Sequence, residues 1–248
     1  ALPVTAWAPR SRFARWRFTW AWHWLCEHGT VTVDQGEHDA AAGQARGALW
    51  LVRHARPLVE PGICYGATDM PADAMATQSC ALALVRVLPF HARVFTSPLQ
   101  RCVQLAQAVQ RLRPELPIEP DARLVEMDFG SWEGWRWDDI PKAAIDVWTQ
   151  DFAHTRFGGR ESVQQLMERV DAMRDFSCTL GAPVVWLTHA GVIRAATLLS
   201  GRRTHLQRAD QWPVDGPGFG AWTIQSCGPF RPRGSHCGRY PTRPQQGS

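Results

Sequence analysis

The sequence predicts an α/β fold, a three-layer sandwich in which a mostly parallel central sheet is flanked by helices, with a short helical cap. Two observations predict it. Short apolar runs alternate along the chain with longer segments of helical pattern, and such strands pair in parallel because each helix returns the chain across one face of the sheet. Three of the apolar runs also end in polar residues that enter a turn, as buried strands of parallel sheets do.

The individual elements follow from local patterns. Residues 49–53 form an apolar run that ends in arginine, which is typical of a strand buried on both faces. The mostly helical segment between Leu112 and Pro183 is expected to form the cap, beside the carboxyl edge of the sheet. In chain order, the other predicted elements are a helix over 72–88, a strand over 93–96, a helix over 99–112, helices over 138–151 and 161–180, a strand over 183–188 and a helix over 192–199.

The same patterns divide the chain into three parts. Residues 48–226 hold all the alternating elements and are expected to form one domain. Residues 1–47 are rich in tryptophan and arginine without a clear period, so we expect a poorly ordered extension instead of an arm that binds membranes or single-stranded nucleic acid. Residues 227–248 are rich in proline, glycine and arginine and have too little apolar content to pack, which predicts a disordered tail.

Charge and cysteine content exclude several classes of function. The formal net charge of +4 is concentrated in the two terminal segments, so the central segment is not expected to bind nucleic acid. The seven cysteines are scattered without a CxxC pair, which argues against a disulfide framework or zinc site and favours a reducing, cytoplasmic location. Because no apolar stretch is long enough to span a membrane, a membrane partner is not expected either.

Two histidines are predicted to lie at the carboxyl ends of buried strands. The run that ends in Arg53 is followed by His54, and the run 184–188 is followed by His189. Each histidine enters a turn that contains alanine or glycine. Ligands of open α/β sheets bind at this edge, so the two histidines are expected to contribute to one site.

A third segment adds another cation. Residues 95–102 break a strand at Ser97-Pro98, with Ser97 predicted as the helix cap and Pro98 as the first helical residue. Arg101 would then project near the helix N-terminus, where backbone N–H groups already favour an anion. Together with Arg53 and the two histidines, Arg101 could neutralise a tetrahedral dianion, which predicts a phosphate-binding pocket.

A fourth segment, residues 124–134, supplies acids. Glu126, Asp128 and Glu133 alternate there with apolar residues, while two glycines allow the chain to turn. These carboxylates are the candidate proton donors of the predicted pocket.

These four segments resemble the histidine phosphatase superfamily, also called the phosphoglycerate mutase-like family, and they occur in the family's order. The resemblance runs from about Leu49 to Trp222. It rests on Arg53-His54-Ala55, Ser97 to Arg101, Glu126 to Gly134 and His189-Ala190-Gly191. The departure is Ala55, where family members usually carry glycine; it is mild if the backbone has a negative φ there and serious if it does not.

The resemblance implies a mechanism. His54 would be the nucleophile that forms a phosphohistidine, and Glu126 would act as general acid and then as general base. Arg53, Arg101 and His189 would bind the phosphoryl group. The nearby arginines should lower the pKa of His54 and keep its imidazole neutral. No metal or other cofactor is expected, because the arginines and the second histidine supply the positive charge.

Several neighbouring residues have simpler interpretations. Glu133 is expected to support a turn, and Asp128 is expected to be structural. Cys102 is expected to be a small buried apolar side chain and not a redox switch. A tryptophan cluster after Glu126 could stack on a flat base, although packing is the commoner role of such a cluster; its members are Trp132, Trp135 and Trp137.

The resemblance also bears on the substrate, a small phosphorylated metabolite. The segment between Glu126 and His189 is shorter than in phosphoglycerate mutases, which favours a phosphatase. Residues 56–66, the Thr68-Asp69 pair and the late His-Ala-Gly motif are most similar to the alpha-ribazole 5′-phosphate phosphatases of cobalamin biosynthesis. Sugar phosphates and phosphoserine stay open as substrates, as do mutase chemistry and a non-catalytic phosphate-binding role.

Overall fold

A computed structural model of the chain describes residues 47–227. Within this range, five strands and five α-helices alternate, and five short 3₁₀ turns complete the connections. The strands are β1 (Ala48–Arg53), β2 (Arg93–Thr96), β3 (Ile118–Pro120), β4 (Val184–Thr188) and β5 (Trp222–Ser226). The helices are α1 (Ala74–Leu84), α2 (Gln100–Leu112), α3 (Lys142–Gln150), α4 (Val163–Thr179) and α5 (Ala190–Ser200).

The five strands form one sheet in the order β3-β2-β4-β1-β5. Strands β2, β4 and β1 are parallel neighbours, and β3 pairs in parallel with β2 at one edge. At the other edge, β5 pairs antiparallel with β1. The sheet is therefore mixed but mostly parallel, which confirms the predicted fold class. Because Arg53 of β1 pairs with Thr188 of β4, these two central strands end side by side.

Each face of the sheet has its own apolar core, and successive strand residues alternate between the two. On β1, Leu49 and Leu51 belong to the core shared with α4 and α5. Trp50 and Val52 belong to the core shared with α1 and α2. All four side chains are buried, which is why β1 shows a continuous apolar run in the sequence. Helices on both faces give the three layers.

Local capping explains where two of the helices begin. The carboxylate of Asp73 accepts a hydrogen bond from the backbone N–H of Ala76, so α1 begins directly after Asp73. Ser162 and Gln165 form a capping box at the start of α4. Both helices are therefore shorter than the apolar pattern predicts.

The structure differs from the prediction in its edge strands and its cap. Neither edge strand has a local signal, because β3 is three residues long and ends in proline, and β5 is only half-buried. The segment between Leu112 and Pro183 is not a cap along its whole length. Its helix α4 packs on the sheet, where the indole N–H of Trp186 in β4 donates to the hydroxyl of Ser177 at 3.0 Å.

The predictions for the termini, an extension over 1–47 and a tail over 227–248, lie outside the described residues except for Gly47 and Cys227. Those two residues continue the pairing of β1 with β5, since the N–H of Cys227 donates to the carbonyl of Gly47 at 2.6 Å. No helix within residues 47–227 is both long and apolar enough to cross a membrane.

Candidate active site

Three neighbouring parallel strands deliver polar residues to one edge of the sheet. The residues that directly follow β1, β2 and β4 are His54, Ser97 and His189. Strand pairing continues past the end of β1, because the N–H of His54 donates to the carbonyl of Thr188 at 3.0 Å. The imidazole rings of His54 and His189 lie edge to face with their centroids 5.0 Å apart. The predicted meeting of the two histidines is confirmed.

A pocket lies at this edge of the sheet. Four of the five predicted site residues line it: Arg53, His54, Arg101 and Glu126. The other lining residues are Tyr65, Phe129, Ala190, Gly191 and Arg194. The pocket therefore combines three guanidinium groups, one carboxylate and an aromatic wall.

His54 has the protonation state that a nucleophile needs. Its Nδ1 lies 2.7 Å from the carbonyl oxygen of Ala55, and because a carbonyl only accepts, Nδ1 must carry the proton and Nε2 the lone pair. Burial lowers the pKa of His54 well below its ordinary value, and the charges of Arg101 and Arg53 lower it further. The predicted direction is correct, but the structure makes burial, not the arginines, the main cause.

Arg53 is held by the segment that precedes β5. Its Nη1 donates to the carbonyl of Pro217 at 3.2 Å, and its Cζ lies 3.8 Å from the centroid of the Phe219 ring. The residue is almost fully buried. A guanidinium fixed in this way binds an anion with little further loss of side-chain entropy.

Arg101 is the second residue of α2 and is completely buried. Each of its three nitrogens is tied to the protein: Nη1 donates to the carbonyl of Thr68 (2.8 Å), Nη2 to the carbonyl of Gly66 (2.6 Å) and Nε to Nδ1 of His189 (3.2 Å). A guanidinium has five N–H groups. These three bonds fix its plane and leave two N–H groups for a ligand.

Glu133 holds the loop that in turn holds Arg101. Its carboxylate accepts hydrogen bonds from the backbone N–H groups of Ala67 (2.8 Å), Thr68 (2.6 Å) and Phe129 (3.0 Å). It does not line the pocket. This agrees with the prediction that Glu133 supports the backbone and is not the proton donor.

His189 is neutral and supports Arg101. Since its Nδ1 accepts a hydrogen bond from Arg101, its Nε2 must carry the proton. That N–H donates a hydrogen bond to the hydroxyl of Ser97 at 2.8 Å. Burial and the charge of Arg101 hold the pKa of His189 well below its ordinary value. Both ring nitrogens are thus engaged by protein groups, and direct phosphate binding by His189 stays a prediction.

The predicted first residue of α2 is wrong. The helix begins at Gln100 and not at Pro98, because a carboxylate from another loop meets its first turn: Asp69 accepts from the N–H of Gln100 at 2.7 Å. The hydroxyl of Ser97 still accepts from the N–H of Leu99 at 3.3 Å, just before the helix, and it also accepts from Nε2 of His189. Cys102 is fully buried, and burial raises the pKa of its thiol to about 12, as expected for an unreactive small side chain.

Glu126 is the carboxylate that reaches the pocket. One oxygen accepts from the N–H of Gly191 at 2.9 Å at the start of α5, and the other accepts from the N–H of Met127 at 3.0 Å. Gly191 permits this approach, since a Cβ there would lie 2.3 Å from the Glu126 carboxylate. The glycine of the His-Ala-Gly motif is therefore a steric requirement for this position of the Glu126 carboxylate.

A partly buried ion pair fixes the loop that carries Glu126. Arg169 of α4 pairs with Glu161 at 2.7 Å, and its Nη1 also donates to the carbonyls of Arg123 (2.8 Å) and Val125 (2.6 Å). These carbonyls lie just before Glu126 in the chain. Sequence reasoning missed this support because Arg169 lies far along the chain in an ordinary helical pattern.

Asp128 has the structural role expected of it, and Ala55 has the negative φ at which alanine can replace glycine. The Asp128 carboxylate accepts from the N–H of Gly130 at 2.8 Å and does not line the pocket, which agrees with a structural role. Arg202 is the one non-glycine residue with a positive φ among residues 47–227, so Ala55 adopts ordinary backbone geometry. Alanine in place of the usual glycine therefore causes no strain at His54.

The members of the tryptophan cluster do not line the pocket; their rings pack on neighbouring aromatic side chains. Trp137 stacks on Phe157 with centroids 6.1 Å apart and nearly parallel planes, and Trp132 lies 5.9 Å from the same ring. Trp135 packs edge to face on Trp132. The packing interpretation is confirmed, and the aromatic residues that do line the pocket are Tyr65 and Phe129.

A metal site needs several ligand side chains grouped around one point. Within residues 47–227, no three histidine, cysteine or carboxylate side chains are grouped so that they could hold a metal ion. That the site works without a metal or other cofactor stays a prediction.

Several solved structures share this fold. A mycobacterial glucosyl-3-phosphoglycerate phosphatase in complex with inorganic phosphate is 25% identical, with a TM-score of 0.59 over 73% of this chain and 89% of its own. A Thermus thermophilus protein is 30% identical, with a TM-score of 0.51 over 65% and 89%. A phosphoglycerate mutase from Bacillus anthracis is 15% identical and shows the fold alone, with a TM-score of 0.58 over 77% and 93%. No curated protein matches the chain.

Fold and site together define an α/β protein with two histidines at adjacent strand ends and buried arginines beside them. The chain belongs to the histidine phosphatase superfamily, branch 1, which it matches over residues 49–224. This range includes all four segments on which the resemblance rests and excludes both terminal segments.

Proposed function

We propose that the protein is a phosphomonoesterase that acts through a phosphohistidine on His54. The observation that carries the proposal is the His54 imidazole, whose Nδ1 proton is held by Ala55 and whose lone pair is therefore on Nε2. It shares a pocket with the buried guanidinium groups of Arg53 and Arg101. A neutral imidazole beside fixed cations is suited to attack the phosphorus of a dianionic ester.

In the first step, Nε2 of His54 bonds to phosphorus while the bond from phosphorus to the ester oxygen breaks. Glu126, in its protonated form, gives its proton to the leaving alkoxide. Arg53 and Arg101 stabilise the charge on the phosphoryl oxygens, and His189 is proposed to assist them. In the second step, water attacks phosphorus, gives a proton to the Glu126 carboxylate and releases phosphate from His54.

The substrate proposed first is alpha-ribazole 5′-phosphate, which would place the protein in the cytoplasmic assembly of cobalamin. The support is the similarity of residues 56–66 to phosphatases of that class. Within the pocket, Tyr65 and Phe129 offer the aromatic surface that the three tryptophans do not, and a flat base could pack on it. No metal, nucleic acid or membrane is required by this proposal.

A second candidate substrate is a phosphomonoester that carries a carboxylate. Arg194, buried in α5, adds a third guanidinium to the pocket wall, and a second anionic group on the substrate would complement it. The similar mycobacterial phosphatase is named for glucosyl-3-phosphoglycerate, which is such a compound. Mutase chemistry would use the same first step and return the phosphoryl group to a hydroxyl.

The test is a panel of phosphomonoesters assayed for phosphate release in the presence of a chelator. The panel contains alpha-ribazole 5′-phosphate, 3-phosphoglycerate, glucosyl-3-phosphoglycerate, sugar phosphates and phosphoserine. We expect kcat/KM for alpha-ribazole 5′-phosphate to exceed the others by at least about 100-fold, or about 2.7 kcal/mol of transition-state discrimination. The His54→Asn protein, prepared identically, measures any contaminating phosphatase.

Each other outcome of the panel has a defined meaning. A preference for the carboxylated esters would replace the first substrate by the second. Isomerisation of 3-phosphoglycerate without net phosphate release would establish a mutase. If no ester is turned over with or without added Mg²⁺, the proposed phosphatase activity is wrong.

A further inference from the structure

Phe219 touches both members of the Arg53-His54 pair, although it lies outside all four sequence motifs. Its ring centroid is 3.8 Å from Cζ of Arg53 and 5.7 Å from the centroid of the His54 ring. The residue is half-buried in the segment between the last 3₁₀ turn and β5. Phe219 thus brings an aromatic ring from a separate segment of the chain into contact with two residues of the candidate site.

The backbone beside Phe219 is fastened to the end of β1. The N–H of Gly220 donates to the carbonyls of Arg53 (3.2 Å) and His54 (3.1 Å), and the N–H of Arg53 donates to the carbonyl of Ala221 at 3.0 Å. The thiol of Cys80 in α1 donates to the carbonyl of Gly220 at 3.2 Å. These bonds fix the backbone next to Phe219 relative to the end of β1, so the ring has a defined position beside Arg53 and His54.

The ring restricts both side chains. A guanidinium stacked on an aromatic face loses its freedom to rotate out of that plane, and Pro217 holds the same guanidinium by its Nη1. The His54 imidazole lies near two rings, those of Phe219 and His189, while its Nδ1 is bonded to Ala55. The ring of Phe219 also lies beside the His54 imidazole, a residue that is only 2% exposed, and contributes to its burial.

We propose that Phe219 is a positioning residue for phosphoryl transfer, which holds the Arg53 guanidinium and the His54 imidazole in place for attack and keeps water from them. The role in transfer rests on the proposed function. Misplacement of a reacting group by as little as 1 Å can cost about 100-fold in rate, so loss of the ring acts on the chemical step.

The test compares Phe219→Leu with wild type and with Phe219→Tyr, which keeps the ring. We expect kcat of the leucine variant to fall by about 10- to 100-fold, and the tyrosine variant to stay close to wild type. Phe90→Leu is the matched control, because Phe90 also packs on an arginine, Arg113, at 5.2 Å but lies near the amino end of β2. Its kcat should not change.

A second readout is the titration of His54, which NMR measures without turnover. In the leucine variant His54 is less buried, so its pKa rises towards the ordinary value, and the ring becomes protonated at a higher pH. The acid limb of the kcat/KM profile and the NMR titration of His54 should both move to higher pH. The charged and titratable groups around His54 are unchanged in every variant: Arg53 on β1, Arg101 on α2, His189 before α5 and Glu126 across the pocket.

The outcomes separate this inference from the proposed function. An active wild type with unchanged kcat and His54 titration in Phe219→Leu would overturn the positioning role. An inactive wild type whose His54 titration still shifts in the variant would contradict the phosphatase and support the positioning. If both Phe219→Leu and Phe219→Met fail to fold, as judged by thermal melting, Phe219 belongs to the core and the positioning role is wrong.

Discussion

Replacing His54 with asparagine is expected to lower kcat/KM for every phosphomonoester by about 10⁴-fold or more. The amide of asparagine can still donate a hydrogen bond to the carbonyl of Ala55, as Nδ1 of His54 does. It has no nitrogen lone pair that could attack phosphorus. The residual rate then reflects only the pocket's ability to bind and polarise the ester. Steady-state assays with the best ester of the panel measure the effect.

The control for this prediction is His91→Asn, which makes the same change at an exposed position. It should keep full activity. Thermal unfolding of His54→Asn should remain cooperative, so that the loss of activity cannot be assigned to loss of the fold. A His54→Asn protein that keeps more than a small fraction of wild-type kcat/KM would show that the nucleophile is another group.

Replacing Glu126 with glutamine should lower kcat by about 10²- to 10⁴-fold for alkyl phosphates. Glutamine can accept from the N–H of Gly191, as the carboxylate does, but it cannot give a proton to the leaving alkoxide. Esters of acidic phenols leave without that proton, so p-nitrophenyl phosphate should lose much less activity. The measurement is kcat for a series of esters with leaving groups of different pKa.

The matched control is Glu168→Gln on the exposed face of α4, which should not change any rate. Equal losses for alkyl and nitrophenyl esters in Glu126→Gln would mean that Glu126 binds or orients the substrate without donating a proton to the leaving group. Unchanged rates for both classes of ester would remove Glu126 from the mechanism.

Much of the fold follows from local sequence patterns, because the central strands are buried on both faces. The strand over 93–96 and the end of β1 at Arg53 coincide with the structure. The edge strand β5 could not be found in this way, since its partner β1 lies far away in the chain and its own residues are half-buried. The helix start at Gln100 was also hidden, because Asp69 reaches it from a separate loop.

The residues of the candidate site also differ in how far the sequence reveals them. His54 and His189 stand out because a buried strand precedes each, and Arg101 and Glu126 lie in short motifs with recognisable turns. The residues that hold them in place have no such signal. Phe219 is a single aromatic residue in a Gly- and Pro-rich segment, and only the antiparallel pairing of β5 brings it to the end of β1.

The most direct test of a phosphohistidine on His54 is to trap the phosphorylated enzyme. Wild-type protein is mixed with ³²P-labelled substrate, quenched within milliseconds in base, digested and analysed by mass spectrometry. We expect an acid-labile, base-stable phosphoryl group on the peptide that contains His54, formed at least as fast as steady-state turnover and missing from His54→Asn. Label on another residue, or hydrolysis at full rate with no labelled enzyme under any quench, would contradict this expectation.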